Sequence, residues 1–289
     1  MILRRAARVS GPGRESGIIP PTAASGKEGG MENPLPAGIS GGRSPEARYR
    51  DGSYLERNPG WHAEDAPAKA RWIRRLLERN GLDPGSVGEA GCGAGAVLLA
   101  LAREAPETVR FVGYEISPVA LELCPRGVLP NLSYRLGDLT AEEAVHHDLL
   151  LVLDVIEHVE DYLGFLRGLR RRARHHVFHI PLDLSVQSLL RRSRLLRERD
   201  QVGHLHYFTR ETALATLSDA GYRVLDQTYT PGGLELPARS VLSRLARLPR
   251  RMLAAVDPGL AARLLGGFSL LVLAEPAAAT GGAGTPGRG

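Results

Sequence analysis

The residues best placed to do chemistry begin in "SVGEAGCGAGAV", Ser86 to Val97. Gly91, Gly93 and Gly95 stand at alternate positions, with the acid Glu89 just before them. Glycines between a strand and a helix let a ligand rest against backbone, and the open amides of a helix start favour electron-rich groups. A tight strand–helix turn needs one such glycine; three behind an acid point to a bound molecule. Cys92, inside the loop, meets the need for a small residue and reads as an inert thiol. "GCGAGA" loosely satisfies the G-x-G-x-x-G/A dinucleotide pattern, and Glu115 follows Gly95 by twenty positions, as a ribose-binding acid does. A NAD(P)-dependent oxidoreductase therefore stays open on the loop alone. Three features oppose it. Glu89 would set a negative charge beside a pyrophosphate, a helix precedes the first strand, and Asp138 is placed to accept from an adenine amino group.

A second group lies in "DVIEHVED", after the fourth apolar run. Asp154, Glu157 and His158 stand at i, i+3 and i+4, so on a helix they share a face. Two carboxylates and an imidazole there suit a divalent ion. The favoured reading is instead a capping box, with Asp154 as N-cap and Glu157 three positions on, and no metal is expected. His158 suits acid–base work, since imidazole titrates near neutrality. His204 and His206, in "GHLHYFT", are further base candidates, and the alternative for them is loop ordering through backbone hydrogen bonds. Trp61, His62 and Asp65 precede the first strand, where they either close over a ligand or anchor the first helix.

The elements that must position these groups follow from hydrophobic periodicity. Ala70, Ile73, Leu76 and Leu77 fall at helical spacing in "AEDAPAKARWIRRLLERNG". Apolar runs at 87–90, 109–114, 132–136 and 148–153 alternate with helical stretches, and "HHVFHIPL" supplies a fifth. A helix at about 210–220, a strand "YRVLDQTYT" and a last strand "FSLLVLAE" follow. Strand alternating with helix predicts an α/β, Rossmann-like doubly wound sheet of about seven strands, mostly parallel with an antiparallel C-terminal strand.

Composition sets limits. The 289 residues are 43% hydrophobic and 24% charged, which is ordinary for a globular chain. Two cysteines leave no room for a disulfide framework, and no apolar run has the length of a membrane span. "MILRRAARV" lacks the apolar stretch of a secretory signal, so a cytoplasmic setting is expected. The net charge is +5, carried almost wholly by arginine, since Lys27 and Lys69 are the only lysines. Charge spread so thinly reads as a solvated surface and argues against nucleic acid as partner. Residues 1–46 and 277–289 are rich in glycine, proline and other small residues and read as a disordered segment and a flexible tail. The folded unit is placed at 47–276, with insertions at about 183–203 and 231–266. Within the second insertion, residues 238–256 form a basic amphipathic stretch. Packing on its own domain or a second subunit is preferred, with a peripheral membrane contact as the alternative. A monomer and a homodimer both remain open.

"EAGCGAG", "YEIS", "LGDL" and "DVIEHVED", in this order and spacing, resemble the successive motifs of class I S-adenosylmethionine-dependent methyltransferases. The resemblance is closest to the ubiquinone-biosynthesis O-methyltransferase-like group and spans Tyr54 to Ala274. It implies S-adenosyl-L-methionine as cofactor, with Glu89 favouring its positive end and Gly91, Cys92, Gly93 and Gly95 lining methionine and ribose. It further implies that Glu115 clamps both ribose hydroxyls, that Asp138 fixes the adenine edge, and that Ile116 and Leu139 pack on its faces. Asp154 completes the expected cofactor set. The insertion before "GHLHYFT" then lies on the acceptor side, where His204 is preferred to His206 as base. The implied reaction is methyl transfer to a small-molecule or glycan-type acceptor, at oxygen. A non-catalytic S-adenosylmethionine-binding domain is the further alternative.

Overall fold

Alternation along one central strand organises the molecule, a computed structural model that describes residues 47–61, 63–191, 193–231 and 250–278. In strand β4 (His147–Leu153), Leu149, Leu151 and Leu153 join one apolar cluster and Leu150 and Val152 the other. A strand buried on both faces belongs at the centre of a parallel sheet. Strands β1 (Ser86–Ala90), β2 (Arg110–Glu115), β3 (Leu132–Leu136), β5 (Ala173–Pro181), β6 (Tyr222–Thr230) and β7 (Ser269–Pro276) complete it. The seven strands run in the order β3-β2-β1-β4-β5-β7-β6. Neighbours from β3 through β5 pair in parallel, whereas β7 runs antiparallel to both β5 and β6. The sheet is thus the Rossmann-like one that the sequence predicts. Its strand order reverses between β1 and β4, where ligands of such sheets sit at the carboxyl ends.

Helices cover both faces. On one, Ala70 and Ile73 of α3 (Ala66–Arg79) and Leu98 and Leu101 of α4 (Ala96–Ala102) pack on Val87, Leu149 and Leu151. On the other, Leu166 and Leu169 of α6 (Tyr162–Leu169) and Leu217 of α9 (Arg210–Asp219) pack on Leu150 and Phe178. Each leucine, isoleucine or phenylalanine side chain withdrawn from water contributes about 1.5–3 kcal/mol. Short helices α1 (Ala47–Arg50) and α2 (Ser53–Arg57) precede α3, and α5 (Pro118–Leu123) follows β2. The first insertion folds as α7 (Val186–Leu190) and α8 (Ser193–Gln201), and a helix Pro258–Leu265 leads into β7.

The turn after β4 differs from the sequence reading. Ile156–His158 form a single 3-10 turn, and α6 starts only at Tyr162. Its N-cap is Asp161, whose carboxylate accepts from the Gly164 amide at 2.8 Å. Asp154 is not a cap and makes no capping box with Glu157. It takes a left-handed φ of 53°, and its carboxylate is held by Lys69 and His179, contacts the local sequence does not contain. The tails at 1–46 and 279–289, His62, and the basic stretch as far as residue 249 lie outside the described residues.

Candidate active site

The carboxyl ends of β1, β2 and β4 open on a cleft of about 1190 Å³. Glu89, Gly91, Cys92, Gly93, Glu115, Ile116, Asp138, Leu139, Asp154, His158 and His204 all line it. Gly95 does not; it caps α4 in the left-handed conformation, φ 71°, beneath the Tyr134 ring. The Tyr134 hydroxyl donates to the Gly95 carbonyl at 2.9 Å, so this glycine shapes the loop rather than its wall. At Gly93, φ 54°, a Cβ would lie 2.5 Å from the Trp61 indole, so a side chain there would collide. Trp61 packs on Tyr54 at 4.7 Å between centroids and, with Asp65, lines the cleft from the N-terminal side.

Glu89 is 3% exposed, and its Oε2 has no hydrogen-bond partner. Burial pushes its pKa up to about 8, and the nearby Lys69 ammonium opposes the shift. A buried carboxyl with an open oxygen beside a glycine loop fits a cationic ligand group, whose charge would favour its ionised form, and disfavours a pyrophosphate. Glu115 is tied down by both oxygens: Oε2 accepts from the Gly93 amide and Oε1 from the Ser117 amide, each at 2.8 Å. Burial raises its pKa, while these amides pull it back. Asp138 is exposed, and its Oδ1 accepts from the amide and hydroxyl of Thr140 at 2.8 Å each.

Between these acids and the far wall runs a polar chain that the sequence reading missed. Lys69 Nζ lies 2.6 Å from Asp154 Oδ2, and His179 Nδ1 lies 2.6 Å from Asp154 Oδ1. His179 Nε2 meets Thr230 Oγ1 at 2.9 Å. Burial works against the Asp154 charge, but the His179 and Lys69 contacts overcome it and hold the carboxyl far below its usual range. Lys69 offered one signal. It is a lysine in a chain of arginines, set on the apolar stripe of α3 between Ala66 and Ala70. His179 offered none, since it sits inside an apolar strand.

The histidines gather on the opposite side. His204 Nδ1 lies 2.7 Å from Asp183 Oδ2. Burial lowers the His204 pKa, but the Asp183 hydrogen bond and the charge of Glu157 outweigh it, leaving it at about 9. His204, preferred in the sequence as the base, is thus protonated at neutral pH because Asp183 holds the charge. His158 behaves oppositely: burial and the neighbouring His204 charge drive its pKa down to about 3. Its Nδ1 shares a hydrogen bond of 2.9 Å with the Tyr49 hydroxyl, and its ring stands edge-on to His204 at 4.9 Å. His206 instead uses Nε2 on the Val159 carbonyl at 2.9 Å and stacks edge-on to Tyr162. Glu157 is fully buried, with neither carboxyl oxygen hydrogen-bonded and its pKa pushed up to about 8 by burial and then by Asp154. Ligand atoms of Glu157, His158 and His204 lie within 4.8 Å of one another, so this trio, not Asp154 with Glu157 and His158, has the spacing to hold a metal ion.

A seven-stranded sheet with a glycine loop at its switch point defines a nucleoside-cofactor-binding domain of Rossmann-like class. A family model described as Methyltransferase domain matches residues 61–227. The chain belongs to that methyltransferase family, whose methyl donor is S-adenosylmethionine. Curated protein sequences contain no match. Among solved structures, a chain of the complex between the Haloferax volcanii Trm112 methyltransferase activator and its partner aligns with TM-score 0.57 and 16% identity, covering 82% of this chain and 100% of that one. The N-methyltransferase NodS from Bradyrhizobium japonicum WM9, in complex with S-adenosyl-L-homocysteine, aligns with TM-score 0.51 and 18% identity over 78% of this chain and 97% of that one. The [4+2]-cyclase SpnF aligns with TM-score 0.50 and 16% identity over 72% and 81%. At such identities these likenesses establish the fold. No helix among the described residues is long and apolar enough to cross a membrane.

Proposed function

We propose that this methyltransferase acts at an oxygen of a small-molecule or glycan-type acceptor, as members of the ubiquinone-biosynthesis O-methyltransferase-like group do. The observation that carries the reading is the Asp183–His204 pair standing on the same cleft as Glu89 and Glu115. In this reading Glu115 takes the ribose hydroxyls, Asp138 the adenine edge, and Leu139 and Ile116 the adenine faces. Glu89 faces the cationic end of the cofactor, and Lys69, held by Asp154, faces its carboxylate. The bound cofactor supplies an electrophilic methyl on a sulfonium, so the protein's task is alignment and exclusion of water. In the fraction whose ring is neutral, which grows as the pH rises towards 9, His204 keeps its Nδ1–H on Asp183 and would offer Nε2 to take the acceptor hydroxyl's proton. His158, neutral and braced by Tyr49, shapes the acceptor wall. No divalent ion is needed in this scheme, and a chelator leaves turnover unchanged.

Calorimetric titration with S-adenosylmethionine, S-adenosylhomocysteine and NADH tests the cofactor. Binding of both sulfur compounds and not NADH is expected; NADH in their place would sink the reading. Because a cyclase shares the fold, binding alone does not establish transfer. Labelled methyl transfer to a panel of phenolics, sugars, nucleotide sugars, amines and RNA does, and a product methylated at nitrogen would overturn the oxygen assignment.

A further inference from the structure

Twelve large hydrophobic side chains are exposed among the described residues, and eight fall within two short segments, 186–196 and 252–264. Leu189, Leu190, Met252 and Val256 are 60%, 80%, 71% and 85% exposed, and Leu260 and Leu264 stand one turn apart on their helix. The segments adjoin in space. Helix α7 packs against helix Pro258–Leu265, and Arg250 donates both to the Gln187 side chain and to the Leu265 carbonyl. Residues 186–201 and 250–265 together carry eight arginines against three acids, an excess equal to the formal charge of the whole chain.

We propose that this ridge is a docking surface for an anionic lipid bilayer. Exposed leucines in segments this rich in arginine match the two attractions that hold a protein at such an interface, apolar insertion and charge. A second copy of the chain fits less well, since a two-fold contact would set this arginine-rich face against itself. The ridge also adjoins the cleft, which Arg194 of α8 and Phe268 help to line. Docking there brings the cleft mouth to the lipid surface. The docking requires nothing of the methyl-transfer reading.

The test is co-sedimentation of the full chain with phosphatidylcholine vesicles, with and without phosphatidylglycerol. Wild type pellets with the anionic vesicles at low salt, and not with phosphatidylcholine alone or at high salt. The double variant L190E/V256E, changed only at exposed positions, binds more than about tenfold more weakly. Its S-adenosylhomocysteine affinity is unchanged, which shows that it is folded. Wild type remaining in the supernatant, or the variant pelleting equally well, overturns the proposal. So does a homodimer in sedimentation equilibrium that the variant dissolves, for the ridge is then a contact between copies.

Discussion

His204 keeps a proton in the folded protein that it would lose in the unfolded chain. Burial alone would favour the neutral ring, yet Asp183 and Glu157 carry its pKa from 6.5 to about 9. Its contribution to stability is complete below pH 6.5 and is lost as the pH rises through about 9. Glu157 acts with the same sign, since its folded form stays protonated between 4.5 and about 8. Melting temperature is therefore expected to fall from pH 6.5 towards 9, and His204→Asn flattens that slope. Turnover runs the other way, because only the neutral ring accepts a proton. His204→Ala lowers turnover by about 10²–10⁴-fold with S-adenosylhomocysteine affinity intact. His206→Ala, which loses a bond to backbone, lowers stability instead; equal turnover losses in both variants would remove His204 from its role. At the cofactor, Glu115→Ala weakens S-adenosylhomocysteine binding by about 1.5–3 kcal/mol, the range for hydrogen bonds to a charged group. Asp138→Ala costs less, and calorimetry reads both. Glu115 and Asp138, which line the cleft, stood out in the sequence because Glu115 follows Gly95 by twenty positions and Asp138 is the acid after the third apolar run. Lys69, His179 and Asp183 could not be assigned there, because each acquires its meaning from a partner distant in the chain.

Strands and their order of appearance were legible because each is a run of alternating or wholly apolar residues between turn-forming ones. The turn after β4 was not. "DVIE" satisfies a local capping rule, but the ion pair to Lys69 and the contact with His179 draw Asp154 away, and Asp161 caps the helix in its place. The glycine loop likewise depends on a residue that no motif includes. Gly113 of β2 pairs with Glu89 of β1, and a Cβ on it would lie 2.7 Å from Cys92 Sγ and 2.7 Å from the Tyr134 ring. Cys92 is buried in the loop and the Tyr134 hydroxyl is held on the Gly95 carbonyl, so a shift of either would disturb the loop. Gly113→Ala is therefore expected to cost about 1–3 kcal/mol of stability, as overpacked cores do, and to weaken S-adenosylhomocysteine together with it. Thermal melts and calorimetry on one preparation check this. A variant with lowered melting temperature and wild-type affinity would uncouple β2 from the loop.

For the molecule as a whole, the folded unit is proposed to be residues 47–276. Segments 1–43 and 277–289 show no apolar periodicity, so deleting both is expected to leave melting temperature and cofactor affinity unchanged. A marked fall in either would place one of them on the fold. The far edge of the sheet has a further consequence, in the order of synthesis. Strand β6 leaves the ribosome before β7, yet β7 lies between β5 and β6 and joins β6 to the sheet. Until β7 emerges, the outer edge of β5 and both edges of β6 present unpaired backbone, the condition under which strands find wrong partners. From the emergence of β5 to that of β7 the nascent protein thus carries an unfinished sheet. It closes in one late step, when a single strand pairs on both sides at once.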